Sequence, residues 1–186
     1  MKILILGGSG FVGRHMVEAA LSDRHQVSCL NRNETAPELF PEVEQITADR
    51  NGGLDVLANR QWDVVIDCNA YLPEWVEEAC RILKGNVGHY IFISTGSVYD
   101  ASSSDLNIDE HSQLVSTENL GCLYWGADYG GLKVLCENVV QTYFPENFSV
   151  LRLGVVAGSY DPTYRVSYWV ERIARGGKLL IPTDPD

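Results

Sequence analysis

The sequence predicts an α/β protein whose doubly wound parallel sheet carries helices on both faces. Short apolar runs alternate with stretches of helical periodicity along the 186 residues, which is typical of successive βαβ units. The first apolar run is uninterrupted, as expected of a strand buried on both faces, and a glycine-rich turn connects it to an amphipathic helix. With 45% apolar and 21% charged residues, the chain has the composition of a globular protein with a sizeable core.

Each element follows from a local residue pattern. The first strand is predicted at 3–6, where four apolar residues are bounded by glycine, and the first helix at 11–21, where apolar side chains recur at helical spacing. A proline at its start and a glycine after its end delimit a helix over 74–84. The remaining strands are expected at 27–30, 43–47, 63–67, 89–94, 148–153 and 178–181, the remaining helices at 129–143 and 163–175, and a surface loop at 101–120.

The charge and the cysteine content narrow the classes of function. Fourteen basic against 25 acidic residues give a formal charge of −11, which disfavours binding to a nucleic-acid backbone or an anionic membrane surface. No apolar run approaches the length of a membrane helix, and the N-terminus lacks the features of a signal peptide. The five cysteines form no Cys-x-x-Cys pair, so we expect reduced thiols, no metal site and a cytoplasmic protein.

A glycine-rich loop connects the first predicted strand to the first helix. Residues 7–13 read Gly-Gly-Ser-Gly-Phe-Val-Gly and fit both Gly-x-x-Gly-x-x-Gly and Gly-x-Gly-x-x-Gly. Glycine permits a tight turn and lets the backbone approach a pyrophosphate, whose charge the helix N-terminus then stabilises. Glycines also form ordinary turns, but the flanking strand and helix favour a Rossmann-type dinucleotide-binding loop. The residues expected to bind the dinucleotide are Gly7, Gly10, Phe11, Val12 and Gly13.

The end of the second predicted strand bears on the choice of dinucleotide. NAD-binding folds usually carry an acidic residue there for the ribose 2′-hydroxyl, but this chain has Asn31 and Arg32 and no carboxylate before Glu34. The Arg32 guanidinium suits a 2′-phosphate, so the sequence favours NADP over NAD, although a solvated loop arginine is the alternative. Asp49, after the third strand, is either a partner of the adenine amine or a turn residue beside Arg50.

A tyrosine and a lysine lie at the start of the long helix predicted at 129–143. Tyr129 and Lys133 are four residues apart and therefore share a helix face. A neighbouring ammonium lowers the pKa of a phenol, which can then exchange a proton with a substrate hydroxyl or carbonyl, and Lys133 could also hold the nicotinamide ribose. Thr95 ends the fifth strand, where its hydroxyl could hold the reacting oxygen. Chance helix pairs and ordinary Ser/Thr turns are the alternatives.

Taken together, three motifs resemble a known family. The glycine motif, the strand end ISTGSVYD and the segment YGGLK are similar to those of the extended or atypical short-chain dehydrogenase/reductase superfamily, and within it of the NAD-dependent epimerase/dehydratase group. The resemblance extends along the chain through LNRN, ADR and GSYDPTYRVSYWVERIARGG. It implies Thr95 as the hydroxyl, Tyr129 as the acid/base and Lys133 as its partner. The positions that it implies along the dinucleotide and nicotinamide are Asn69, Ala70 and Leu153.

Three features depart from the pattern of that family. The predicted helix at 74–84 contains no asparagine, which leaves a fourth catalytic residue unassigned. Arg152 is followed by Leu153 where the family usually has proline, and relatives continue well beyond the equivalent of Asp186. We therefore expect a dinucleotide-binding domain at 1–160 and the start of a truncated substrate-binding lobe at 161–186.

The resemblance implies an NAD(P)-dependent oxidoreductase, epimerase or dehydratase that acts through a ketone/alcohol step, with a nucleotide-linked sugar as a candidate substrate. The alternative is a non-catalytic dinucleotide-binding or RNA-associated module of the same fold, which the missing asparagine favours and the acidic charge opposes in its RNA form. The expected partners are a dinucleotide and a small-molecule substrate, with no nucleic acid and no membrane. Pairing of helices into a homodimer is also implied by the resemblance.

Overall fold

The computed structural model describes residues 1–34, 38–100, 102, 107–121, 126 and 128–180, and strands alternate with helices along them. The strands are β1 (Lys2–Leu6), β2 (Gln26–Asn31), β3 (Glu44–Thr47), β4 (Trp62–Asp67), β5 (Val87–Thr95) and β6 (Phe148–Leu153). The helices are α1 (Phe11–Ser22), α2 (Pro73–Leu83), α3 (Tyr129–Tyr143) and α4 (Ser167–Ala174). Short 3-10 turns at Leu54–Leu57 and Gly96–Val98, which the sequence patterns do not predict, complete the described secondary structure.

The six strands form one sheet in the order β3-β2-β1-β4-β5-β6, and every neighbouring pair is parallel. The chain builds outward from β1 to β3 and then crosses back to place β4 on the other side of β1. This is the doubly wound, Rossmann-like topology, so the predicted fold class is confirmed. The reversal of strand order opens a crevice outside the carboxyl ends of β1 and β4, where ligands bind in open parallel sheets.

Helices pack on both faces of the sheet because successive strand residues point to opposite sides. Leu4 and Leu6 of β1 lie in the larger apolar cluster, together with side chains of α2 and α3. Ile3 and Ile5 lie in a second cluster with Val17 of α1. The continuous apolar run of β1 is therefore explained by its central position, which buries both of its faces.

Two segments differ from the sequence prediction. α4 begins at Ser167 rather than 163, since a turn in which the Asp161 side chain accepts from the Thr163 amide precedes it and Tyr164 has φ +54. Residues 178–180 form no strand, so that prediction is wrong for its described part. Leu180 is 92% exposed there, and residue 181 lies outside the described residues.

The chain divides into two compact units, Met1–Gly154 and Val155–Asp186. The first contains the whole sheet with α1 to α3, and the second contains α4, whose large apolar side chains are mostly exposed. In the described part of the chain, no helix is long and apolar enough to cross a membrane. The same residues contain no cluster of His, Cys, Asp or Glu side chains arranged for a metal ion. Cys122 falls outside the description.

Candidate functional site

The glycine loop closes the turn between β1 and α1 through direct backbone contact. The Gly7 amide donates to the Leu30 carbonyl of β2 at 2.9 Å, and the Gly10 amide donates to the Gly7 carbonyl at 3.1 Å. A β-carbon on Gly13 would lie 2.1 Å from the Gly7 carbonyl oxygen, so no larger residue fits there without moving the backbone. Gly13 is therefore needed for the turn itself, which matches the expected tight approach of helix and strand.

Gly10 differs from Gly13, because the described residues around it would accept a β-carbon. A β-carbon there would make only an ordinary contact of 3.5 Å with the Gly7 carbonyl, and its φ of −76° suits any residue. Gly10 is exposed and precedes α1, whose N-terminus has no side-chain cap and no acidic residue in its first turn. The first amides of a helix have no partner within it and carry the positive end of its dipole, and in α1 they begin at half-buried Phe11 and Val12. These features fit the pyrophosphate of a dinucleotide.

The end of β2 braces the glycine loop. Both the amide and the hydroxyl of Ser9 donate to Asn31 Oδ1 at 3.2 Å, and Asn31 Nδ2 donates to Gln45 Oε1 of β3 at 3.4 Å. The next side chain, Arg32, is 61% exposed and forms a 3.3 Å ion pair with Glu34. Asn31 also lines a shallow cleft between the glycine loop and β3. Its lining residues are Gly8, Ser9, Cys29, Asn31, Leu39, Phe40 and Gln45.

Asp49 follows β3, and its carboxylate accepts a hydrogen bond from the Asn51 amide at 2.8 Å. This is the turn geometry that the sequence leaves open as an alternative for Asp49. The Asp49 side chain is nonetheless exposed, whereas Arg50, the next residue, is buried.

Arg50, Asp67 and Tyr90 form a buried polar cluster that the sequence reasoning missed. Two guanidinium nitrogens of Arg50 each donate to an Asp67 oxygen at 2.6 Å, and the Tyr90 hydroxyl donates to Asp67 Oδ2 at 2.8 Å. Burial favours a raised pKa for Asp67, but the adjacent Arg50 outweighs it, and the pKa is lowered. The available signal was a carboxylate at the end of an apolar strand, because a buried charge needs a partner.

The loop after β4, residues 68–71, lies beside the glycine loop at the carboxyl ends of β4 and β1. A β-carbon on Gly7 would lie 2.7 Å from the Asn69 β-carbon, so these two residues are in close contact. Asn69 is exposed, whereas Ala70 is 2% exposed and turned into the protein. The carbonyl oxygens of both residues accept hydrogen bonds from buried cations, Arg50 and Lys133 respectively.

Lys133 lies deeper than its place beside Tyr129 suggests. Its ammonium donates to the Ala70 carbonyl at 2.9 Å and to the Ile93 carbonyl at 2.7 Å, and it lies 4.0 Å from the centre of the Phe92 ring. Only 3% of Lys133 is exposed, and this burial lowers its pKa from 10.5 to about 8. The ammonium therefore bridges the carboxyl ends of β4 and β5 beneath the crevice.

Tyr129 and Thr95 are half-buried and thus more accessible than Lys133. Tyr129 is the first residue of α3, is half-buried, and its ring is tilted against that of Tyr71 with centroids 6.4 Å apart. A β-carbon on Gly130 would lie 2.1 Å from the Ser97 carbonyl, so Gly130 lets the start of α3 press against the turn that follows β5. In that turn Thr95 accepts from the Ser97 amide and donates to the Ser97 hydroxyl. The ordinary Ser/Thr turn, which the sequence leaves open as the alternative for Thr95, is thus present.

A second buried cluster supports the end of β5. Ser94 donates to Glu137 of α3, and Arg152 of β6 donates to Glu137 through two nitrogens, the closer contact being 2.8 Å. Arg152 also donates to the hydroxyl of Tyr99 at 3.1 Å. Glu137 lies one helical turn after Lys133, and Leu153, which pairs with Thr95 in the sheet, is half-buried at the same edge. This cluster holds β5, β6 and α3 together beside Thr95.

The profile of the NAD dependent epimerase/dehydratase family matches residues 3–79, which include the glycine loop, the end of β2 and the loop after β4. Residues 3–79 are therefore similar to this family, in agreement with the resemblance that the sequence motifs indicate. The crevice edge formed by Gly7 and Asn69 lies wholly inside this segment, whereas Thr95, Tyr129 and Lys133 lie beyond it.

Individual proteins are similar to parts of the chain. The sterol-4-alpha-carboxylate 3-dehydrogenase, decarboxylating, of Dictyostelium discoideum is 28% identical over 91 residues, 46% of this chain and 27% of that protein. A UDP-galactose 4-epimerase structure has a TM-score of 0.74 at 18% identity, with 94% of this chain and 63% of that chain covered. The dTDP-glucose 4,6-dehydratase of Bacillus anthracis, solved with NAD, has 0.73 at 18%, with 96% and 63% covered. These structures share the fold, and the chain spans less than two thirds of each protein.

Proposed function

We propose that this chain belongs to a cytoplasmic oxidoreductase, epimerase or dehydratase. It would bind a nicotinamide dinucleotide along the carboxyl edge of its sheet. The observation that carries the proposal is the N-terminus of α1, which no side chain caps and which follows the exposed Gly10, where an added β-carbon would meet only the Gly7 carbonyl oxygen at 3.5 Å. The glycine loop and the loop after β4 flank the switch point of the sheet, where dinucleotides bind in this topology. The match of residues 3–79 to the epimerase/dehydratase family supports the same ligand.

The bound nicotinamide ring would supply or accept a hydride. Three residues of the chain would have separate roles beside it. Tyr129 would move a proton to or from the substrate oxygen, since it is half-buried at the helix start that borders the β5 turn. Thr95 would hold that oxygen, turning its hydroxyl away from Ser97. Lys133, which lies buried one helical turn after Tyr129, would stabilise the phenolate of Tyr129 through its positive charge.

We further propose a preference for NADP over NAD. Arg32 follows Asn31 at the end of β2, is largely exposed, and its pairing with Glu34 at 3.3 Å leaves it free to turn toward a 2′-phosphate. An arginine fork binds phosphate through charge-assisted hydrogen bonds. No acidic residue occupies the end of β2 to bind a 2′-hydroxyl.

Calorimetric titration with NADP⁺ and NAD⁺ tests this preference. We expect Arg32→Ala to weaken NADP⁺ binding by about tenfold or more and to leave NAD⁺ binding within about twofold, because only the 2′-phosphate contact is lost. Arg81→Ala, which removes an exposed arginine on α2, is the matched control and should change neither constant. A wild type that prefers NAD⁺, with no response to Arg32→Ala, would refute the NADP preference.

For the substrate we propose a nucleotide-linked sugar that reacts through a ketone/alcohol step. The support is the family match and the shared fold with a UDP-galactose 4-epimerase and a dTDP-glucose 4,6-dehydratase. Tyr129→Phe should lower turnover of such a sugar by about 100-fold or more, since the proton path is lost, while dinucleotide affinity stays the same. Steady-state rates on UDP- and dTDP-hexoses, with calorimetry of the same variant, measure both effects. Unchanged turnover in Tyr129→Phe would overturn the assignment of the acid/base.

A non-catalytic dinucleotide-binding or RNA-associated module is the second candidate. One observation favours it: α2 contains no asparagine to complete a catalytic tetrad. Such a module predicts dinucleotide binding that Tyr129→Phe does not alter and no turnover of any hexose by the wild type. A salt-dependent shift of RNA mobility would support the RNA form, while dinucleotide-linked turnover would exclude the module altogether.

A further inference from the structure

Two buried cations hold two consecutive carbonyl groups of the loop after β4. Arg50 Nη1 donates to the Asn69 carbonyl at 2.9 Å, and Lys133 Nζ donates to the Ala70 carbonyl at 2.9 Å. Arg50 comes from the turn after β3, whereas Lys133 comes from α3, so the loop is tied to both halves of the fold. Fixing two adjacent peptide groups leaves little freedom for the backbone of residues 69 and 70.

A contribution to folding stability is a weak explanation for the buried Arg50 cation. Arg50 and Asp67 are 9% and 0% exposed, and burying such a pair costs desolvation that well-packed apolar residues would avoid. A buried ion pair is therefore weak evidence for a contribution to stability. What the pair does achieve is orientation: with both Asp67 oxygens engaged, the guanidinium plane is fixed and one nitrogen reaches the Asn69 carbonyl.

The Asn69 carbonyl that Arg50 holds belongs to the loop after β4, which borders the crevice. Asn69 and Gly7 follow β4 and β1, the two strands between which the order of the sheet reverses. Their contact is tight, since a β-carbon on Gly7 would come within 2.7 Å of the Asn69 β-carbon. A displacement of residue 69 by about an ångström would therefore change the width of the ligand site and the hydrogen-bond directions of its backbone.

We infer that Arg50 is a positioning residue for the dinucleotide. It does not contact the ligand; through Asp67 and the Asn69 carbonyl it sets the loop after β4 in the binding geometry before ligand arrives. The inference rests on the proposed dinucleotide site. A preorganised loop lowers the ordering cost of binding, so loosening it weakens affinity without removing any direct contact.

Arg50→Lys tests the inference because lysine keeps the charge but cannot bind both Asp67 oxygens and the Asn69 carbonyl in one plane. We expect its dissociation constants for NADP⁺ and NAD⁺ to rise by the same factor, about tenfold or more, at unchanged stoichiometry. Arg60→Lys makes the same change in an ion pair at the amino ends of the strands, and Leu57→Ala destabilises the core there. Both controls should bind within about twofold of the wild type when measured well below their melting temperatures.

A measurement on the wild type covers the case in which Arg50→Lys does not fold. The Asn69 amide donates to Asp67 Oδ1 at 3.4 Å, so a preset loop predicts slow hydrogen exchange at Asn69 without ligand. Exchange at Asn69 as fast as in an unstructured peptide until NADP⁺ is added would overturn the inference, as would wild-type affinity in Arg50→Lys. If Leu57→Ala lost affinity to the same extent, positioning would be refuted in favour of general stability. A wild type that binds neither dinucleotide would instead overturn the proposed function, and the inference with it.

Discussion

Both ends of the sheet carry an arginine–carboxylate pair, but they place it differently. At the amino ends, Arg60 binds Glu44 at 2.7 Å with side chains 29% and 49% exposed. At the carboxyl ends, Arg50 binds Asp67 at 2.6 Å with side chains 10% and 0% exposed. The chemistry is the same, yet only the second pair is desolvated, and only it extends to the backbone of a loop at the crevice.

The difference shows what the carboxyl edge is built for. An exposed ion pair contributes about 0–1 kcal/mol to folding stability, so removing the Arg60–Glu44 pair should destabilise the protein little. A buried pair is costly to make and costly to break, which suits a place where geometry must be kept. Lys133, also buried, holds the neighbouring Ala70 carbonyl through a hydrogen bond. The exposed pair at the amino ends of the strands is thus an ordinary surface ion pair, whereas the buried pair at the carboxyl ends positions a loop of the site.

The largest effect should come from removing one partner of each pair. Asp67→Ala leaves the Arg50 cation buried and unpaired, so we expect the free energy of unfolding to fall by about 3–5 kcal/mol. Arg60→Ala should cost no more than about 1 kcal/mol, because Glu44 can be hydrated. Urea denaturation of both variants measures the contrast. Equal losses for the two variants would contradict the distinction between the two edges.

The next effect concerns Lys133 and pH. Because its pKa is lowered from 10.5 to about 8 in the folded chain, the unfolded chain binds more protons in this window, and its contribution to folding stability rises with pH. Relative to that of Lys133→Met, the free energy of unfolding of the wild type should rise by about 3 kcal/mol between pH 7.5 and pH 10.5. Denaturation curves of both proteins across this range isolate Lys133, since other groups cancel. A pH-independent difference would show that the ammonium is not desolvated.

A smaller effect separates two glycines of the same loop. Gly13→Ala brings a β-carbon against the Gly7 carbonyl and should cost about 1–3 kcal/mol. Gly10→Ala meets only an ordinary contact and should change stability by less than about 1 kcal/mol. Thermal or urea unfolding distinguishes them. If Gly10→Ala proved as destabilising as Gly13→Ala, Gly10 would be a structural glycine and its link to a ligand would fall.

The sequence predicts the local parts of the site and misses the long-range ones. The glycine loop and the shared helix face of Tyr129 and Lys133 depend on neighbouring residues, so their spacing is sufficient. The ion pair of Arg50 and Asp67 joins residues 17 positions apart, and it becomes apparent only once the strand order is known. Periodicity likewise places Lys133 on a face but does not give its depth, because the packing of α3 on β5 sets that depth.

The most direct test of the central claim is a calorimetric titration of Gly10→Ala with NADP⁺. The claim is that the edge at α1 is shaped for a dinucleotide phosphate, so the added methyl group should weaken NADP⁺ and NAD⁺ alike by about tenfold or more in a protein that is still folded. Ser22→Ala, an exposed change at the other end of α1, should bind as the wild type does. Wild-type affinity in Gly10→Ala would contradict the account.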